Sequence, residues 1–230
     1  MVAAAVIIFF AFYVLLDCIA VVPRIAGSIL GKNSLGYSFS NIASTIKRIF
    51  VVAYPPLLGW LSINGEDIYS VIYLSYFFSA FGIAAVYFSR KKLTIFFIDY
   101  INRYSSSGNI IKSFFGVLVD KESKVHESFS SSKGIDWHLV GIGSWVYFIY
   151  GSSLFFVNII GHHFSNYAPI VYQTIGLINA LGTIVFSFVL DPKISRVLDS
   201  KGNIVILHNS LLLSQMINVC LLGPVAILTF

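Results

Sequence analysis

The sequence predicts an all-α integral membrane protein, a single polytopic domain over residues 1–230 built as a bundle of about six transmembrane helices with both termini on the outer side. Three observations lead there. The chain is 57% hydrophobic and 11% charged, with a mean hydropathy of +0.84, whereas soluble domains carry about 25% charged residues. Its apolar runs are long enough for spanning helices, which need about 20 residues each. Threaded alternately through a bilayer, those runs leave all but Lys47 and Arg48 of its 15 Lys and Arg on one side. Cytoplasmic loops retain Lys and Arg, so that side faces the cytoplasm.

The spans follow in order. The first covers residues 2–22 and ends on Pro23-Arg24. With neither a basic leader nor a small-residue cleavage pattern ahead of it, it reads as a retained helix. The second covers 35–61, the third 69–89, the fourth 137–160, the fifth 168–190 and the sixth 204–230. Between the third and fourth lies the one long cytoplasmic loop, 90–136. Its apolar stretches 93–101 and 110–119, flanked by Lys and Arg, read as amphipathic interfacial helices on the headgroups, with packing against the bundle from below as the alternative. Pro23-Arg24-Ile25 after the first span and Asp191-Pro192-Lys193-Ile194 after the fifth form a short echo, too short to establish a repeat.

Composition also excludes. A pI near 9.1 in a soluble protein would suggest nucleic acid, but here the loop bias accounts for the charge, so no nucleic-acid partner is expected. Cys18 and Cys220 both lie in apolar runs and suggest neither a disulfide nor a metal site. His162 and His163 share a short outer loop without neighbouring carboxylates or thiols, a poor metal site. No cofactor is expected. No metalloprotease, nucleophile-elbow or phosphate-loop motif is present in the sequence.

Lys47 and Arg48 are the exception that points to function. The apolar stretch 49–61 is too short to span, so the helix starts near residue 35 and both cations fall near its middle. A charge there costs about 2.5–3.5 kcal/mol on insertion scales unless it meets water, a counter-charge or an anionic ligand. Asn41, Ser44 and Arg48 share one helix face, and Ser40, Ser44 and Lys47 an overlapping one. That polar stripe should line a hydrated cavity. Pro55-Pro56 should kink or unwind the outer half of the helix. The structural alternative has Lys47 snorkelling to the cytoplasm while Arg48 pairs with Asp17.

Other polar positions are read more plainly. Asp17 and Arg24 share a face of the first span and suit an ion pair or a coupling site. Asp191 is explained as a helix-ending turn. His208, Gln215 and Asn218 share a face of the sixth span, where polar side chains hold helices together, though His208 could contact a phosphate near the cytoplasmic mouth. The Gly and Ser residues of the third and fourth spans read as packing surfaces.

The first two spans also carry a resemblance. Leu16-Asp17-Cys18, Arg24-Ile25-Ala26-Gly27, Ser40-Asn41-Ile42, Arg48 and Pro56-Leu57-Leu58-Gly59, with the later Asp191-Pro192, resemble the Amj family of bacterial lipid II flippases. The match covers about a quarter of the chain. It implies translocation of undecaprenyl-diphosphate-linked peptidoglycan precursor from the inner to the outer leaflet of the bacterial inner membrane, with Asp17, Arg24, Asn41 and Arg48 as the family-like polar residues. It also implies lipid II and membrane lipids as partners, and proximity to the cell-wall synthesis machinery. Lys47 stands where the family carries a small or polar residue, so its role rests on its position alone. The expected substrate-binding set is Arg48, Lys47, Arg24, Asn41, Asp17 and His208, with no catalytic residue. A transporter of another polyprenyl-linked saccharide or of a small anion, an intramembrane polyprenyl-pyrophosphatase and a structural membrane subunit are the alternatives.

Overall fold

The computed structural model describes residues 1–119, 134–200 and 202–229. Six of its helices are long and apolar enough to cross a membrane among the described residues. They are α1 (Val2–Ile29), α2 (Asn33–Ile63), α3 (Ile68–Ser107), α5 (Trp137–His163), α6 (Ala168–Asp199) and α7 (Ile204–Ile227), with a short apolar α4 (Ile110–Val119) between α3 and α5. The chain is an all-α membrane bundle. Lys121, Lys124, Lys133 and Lys201, which the alternate threading puts on the cytoplasmic side, and the serine-rich stretch 128–132 of the long loop lie outside the described residues.

Helix α1 is interrupted at Val21, where the helical pieces Val2–Ala20 and Val22–Ile29 meet. Pro23 has no N–H to continue the ladder. Gly31, at φ 67°, then makes the turn into α2 in a backbone region that other residues rarely enter. The two helices leave that turn in backbone contact. A Cβ on Gly27 would lie 2.7 Å from Gly36 Cα, and one on Gly36 would lie 2.6 Å from the Pro23 carbonyl oxygen. Residues with side chains cannot pass at that distance, and in a membrane such close approach supplies the dispersion contact that hydrophobic burial cannot.

At the bundle centre Phe10 of α1 meets Phe155 of α5 at 4.5 Å between ring centroids, Tyr54 of α2 at 5.4 Å and Tyr76 of α3 at 5.5 Å. These edge-on and tilted rings tie four spans into one core. Ser75 and Ser79 are fully buried and bond carbonyls one turn back on α3. Gly143 lies against Ser214 of α7 and Gly151 against Tyr13 of α1, while Gly141 faces open space. Asp67, Asp136 and Asn203 cap α3, α5 and α7 through backbone N–H groups two or three residues on. The Ser70 hydroxyl adds a third bond to Asp67 and holds its carboxyl below the ordinary range.

Two expectations need correction. The stretch 93–101 is no separate interfacial helix. It continues α3, a 40-residue helix about 60 Å long at 1.5 Å per residue, twice the hydrocarbon thickness. Its far end buries Thr94, Ile98, Tyr100 and Ile101 beside Ala26, Phe39 and Val117, so it packs on the bundle from below. Helix α4 folds back on it through Phe114, whose ring sits 5.8 Å from Phe96 and 6.1 Å from Tyr100, and leaves Ile111, Phe115 and Val119 exposed. The second correction concerns Pro55-Pro56: α2 runs through them without unwinding. Two N–H groups are lost, but the φ that proline imposes is helical, and Tyr54 and Leu58 on either side are fully buried and hold the helix in place.

The last three spans each carry one π-helical turn, Phe148–Ser152 in α5, Phe186–Leu190 in α6 and Asn218–Leu222 in α7. A π turn inserts a residue and re-aims side chains. Two of these turns, in α5 and α6, border the cavity described next.

Candidate functional site

The polar stripe of α2 faces a cavity of about 210 Å³ near the basic end of the bundle. Lys47 is brought there by a helix face whose preceding turns carry Ser40 and Ser44, and it is 5% exposed. Its ammonium donates to Asp17 Oδ1 on α1. The other carboxylate oxygen of Asp17 accepts from Gln215 Nε2 of α7 at 2.7 Å, and Gln215 Oε1 accepts from the Cys18 thiol at 2.5 Å. The Tyr150 ring, delivered by the π turn of α5, lies 4.7 Å from the Lys47 nitrogen, within cation–π range. A buried charge is tolerated where its remaining valences are met in this way.

A second ion pair closes the basic side. Arg24 Nη1 donates to Asp191 Oδ1 and Nη2 to Ser195 Oγ at 2.7 Å, both on α6. Its guanidinium lies 5.2 Å from the Tyr37 ring centre. The planar fork of Arg suits this two-pronged contact. The two chain segments that echo one another in sequence therefore face each other in space, Arg24 from one and Asp191 from the other.

Arg24, Lys47, Arg48, Asn41 and Asp17 all line this one cavity, with Ser40, Ser44 and Asp191. Among the described residues three cations face two carboxylates there, one positive charge more than the carboxylates balance. Arg48 is exposed and forms no ion pair among the described residues. The structural alternative for Arg48 is thereby corrected. Asp17 engages Lys47 rather than Arg48 or Arg24, because Lys47 is the residue that α2 turns inward. Asp191 is likewise more than a helix end, since α6 continues through it to Asp199.

His208 is placed elsewhere. It is 1% exposed, neither ring nitrogen has a hydrogen-bond partner among the described residues, and it does not line the cavity. It borders a narrow void behind Asp17 with Cys18, Tyr147 and Gln215. The outer histidines are tied across helices, His162 to Ser62 and His163 to Tyr69, each at 2.9 Å.

Tyr37, Tyr150, Thr183, Ser187 and Asp191 belong to the cavity and were not singled out as site residues from sequence. Only Asp191 left a signal, the echo with Pro23-Arg24. The tyrosines, Thr183 and Ser187 look like ordinary span residues until the helices are assembled.

Helices α2 and α6 each pack on α5 but share no extensive contact with each other. They are bridged at the basic end by Asn33 Nδ2 donating to Asp199 Oδ1 at 3.0 Å. At the other end Tyr172 approaches Gly59, where a Cβ would lie 3.5 Å from its ring. The cavity lies in the seam between these bridges. Comparisons with protein-family models, curated proteins and solved structures find no match to this chain.

Proposed function

We propose that this chain carries a lipid-linked diphosphate across the bacterial cytoplasmic membrane from the inner to the outer leaflet, with lipid II, the undecaprenyl-diphosphate-linked peptidoglycan precursor, as its substrate. The observation that carries the reading is the convergence of Arg24, Lys47 and Arg48 on one cavity among the membrane spans, with cations in excess of carboxylates. An intramembrane site with surplus positive charge favours an anion. The resemblance of the first two spans to the Amj family supports the choice of diphosphate lipid.

The roles follow from pairing and exposure. Arg48, exposed and without an ion pair among the described residues, meets the diphosphate first. Arg24 presents its fork at the cytoplasmic mouth, and Asn41 offers a hydrogen bond to sugar or phosphate. Phosphate oxygens then compete with Asp17 for Lys47 and with Asp191 for Arg24, so the two carboxylates hold the site's cations while it is empty. Displacement of internal counter-ions keeps the resting site from trapping its cargo, because binding recovers only the difference between two ion pairs. No bond in the substrate is made or broken.

The experiment is complementation. The chain is expressed in bacteria whose own lipid II flippases can be shut off, and lipid II accessible at the outer leaflet is measured beside Arg48→Ala. Restored access that depends on Arg48 supports the reading. Absence of restoration with an inserted, folded protein overturns lipid II as the substrate. Release of phosphate from a polyprenyl diphosphate by the purified protein would instead establish a pyrophosphatase.

A further inference from the structure

Above the cationic cavity, in the same seam, lies a second pocket of about 610 Å³. Its α2 wall is Val51, Val52, Pro55, Pro56, Trp60 and Ile63. Its α6 wall runs from Tyr172 to Asn179, and Leu154 of α5 forms part of its floor. The lining is almost wholly apolar. The two pockets are stacked end to end on both walls. Lys47 lines the lower and Val51 the upper, one helical turn apart, and Thr183 lines the lower and Asn179 the upper, again one turn apart. From Arg48 to the top of the wall at Ile63 is about 22 Å at 1.5 Å per residue.

Helix α6 stands off the bundle. Only 11% of its most apolar stretch is buried, against 39–61% for the other spans. Nothing within the described residues covers the seam on its lipid side. The polarity runs in one direction, from cations near the basic end to an apolar trough extending away from it. An amphiphile whose headgroup sits in the cavity and whose chain runs on along the seam has the same direction.

We propose that the upper pocket holds the first isoprene units of the polyprenyl chain whose diphosphate sits on Arg48 and Lys47, so that head and tail are bound together along the α2–α6 seam. This rests on the function proposed above and deepens it: the ligand is an amphiphile that slides in from the bilayer between α2 and α6, and a free soluble anion would leave the trough unused. The proline pair contributes a smooth wall.

The test uses geranylgeranyl diphosphate carrying a diazirine on its terminal isoprene unit, with the full chain reconstituted in phosphatidylcholine vesicles. Geranylgeraniol with the same diazirine is the headgroup-free control. The expected result is labelling within residues 51–63 and 172–179 that is lost on adding excess inorganic pyrophosphate and is absent with the alcohol. Gly176 lines the trough and has no described atom within 4 Å of where a Cβ would stand, so Gly176→Trp projects its ring into the trough and lowers this labelling about tenfold, since a packed pocket excludes the chain. Val52→Trp does the same from the opposite wall. Equal labelling of these residues by the alcohol overturns the proposal, because ordinary lipid then fills the trough. Pyrophosphate-sensitive labelling at other residues overturns the placement of the tail and leaves the diphosphate function standing. Labelling that is insensitive both to pyrophosphate and to Arg48→Ala overturns the diphosphate function itself, and this proposal with it.

Discussion

Lys47 of α2 donates to Asp17 of α1, 30 residues earlier, in a pair that is 6% and 7% exposed at its two side chains. Gln215 of α7 completes the carboxylate's bonding, so three spans meet at one charge pair on the cavity wall.

Breaking that pair leaves a buried charge without a partner. Lys47→Met or Asp17→Ala alone should lower stability by about 3–5 kcal/mol, whereas Lys47→Met combined with Asp17→Asn should recover most of the loss. Thermal unfolding of the four proteins in detergent checks this. Diphosphate binding should remain impaired in the stable double variant, since its cavity has lost a cation.

Arg48 separates function from folding. It is exposed and forms no ion pair among the described residues, so Arg48→Ala should leave unfolding within about 0.5 kcal/mol of the parent. Loss of a charged hydrogen bond worth about 1.5–3 kcal/mol should weaken diphosphate binding about 10- to 100-fold. Titration of geranylgeranyl diphosphate against both proteins measures it.

At Arg24 the fork matters as well as the charge. Arg24→Lys keeps the cation but cannot reach Asp191 and Ser195 together. Transport should fall to between the parent level and that of Arg24→Ala, read from lipid II accessible at the outer leaflet.

The glycines divide by their surroundings. Gly36→Ala should destabilise by about 1–3 kcal/mol, because its Cβ would press on the Pro23 carbonyl and the Gly27 backbone, neither of which is a flexible side chain. Gly141→Ala meets nothing and should be neutral or stabilising by up to about 1 kcal/mol through helix propensity. Paired unfolding midpoints decide between them.

His208 was a candidate ligand from sequence, and its burial outside the cavity leads to the opposite expectation. With both ring nitrogens unpartnered among the described residues, His208→Leu removes buried polar groups without orphaning another there and should be neutral or stabilising. Lipid II access should be retained, and a loss comparable to Arg48→Ala would return His208 to the site.

Hydropathy alone was enough for the spans, because a bilayer imposes one length and one polarity on any helix that crosses it. The same logic singled out Lys47 and Arg48, since a charge within a span is conspicuous in one dimension. The helix period then grouped Asn41, Ser44 and Arg48 on a face, and the structure places all three on one cavity. What failed was local inference about extent. Arg90-Lys91-Lys92 reads as the end of a span, yet α3 continues because the buried face of Thr94, Ile98 and Ile101 has α1, α2 and α4 to pack on. Pro55-Pro56 reads as a break, yet tertiary contacts at Tyr54 and Leu58 hold the helix through it.

Residue order alone therefore determined that this is a six-span α-helical membrane protein with two cations misplaced for a lipid-facing helix. The tertiary structure alone decided which carboxylate meets which cation, Asp17 with Lys47 and Asp191 with Arg24, and that Arg48 forms no ion pair among the described residues. It also decided that α2 and α6 part to leave a seam. The physical reason is that charge pairing and cavity shape depend on the rotation and offset of one helix against another. Those are set by close contacts such as Gly27 on Gly36 and by the π turns in α5 and α6, none of which the periodicity of a single span encodes.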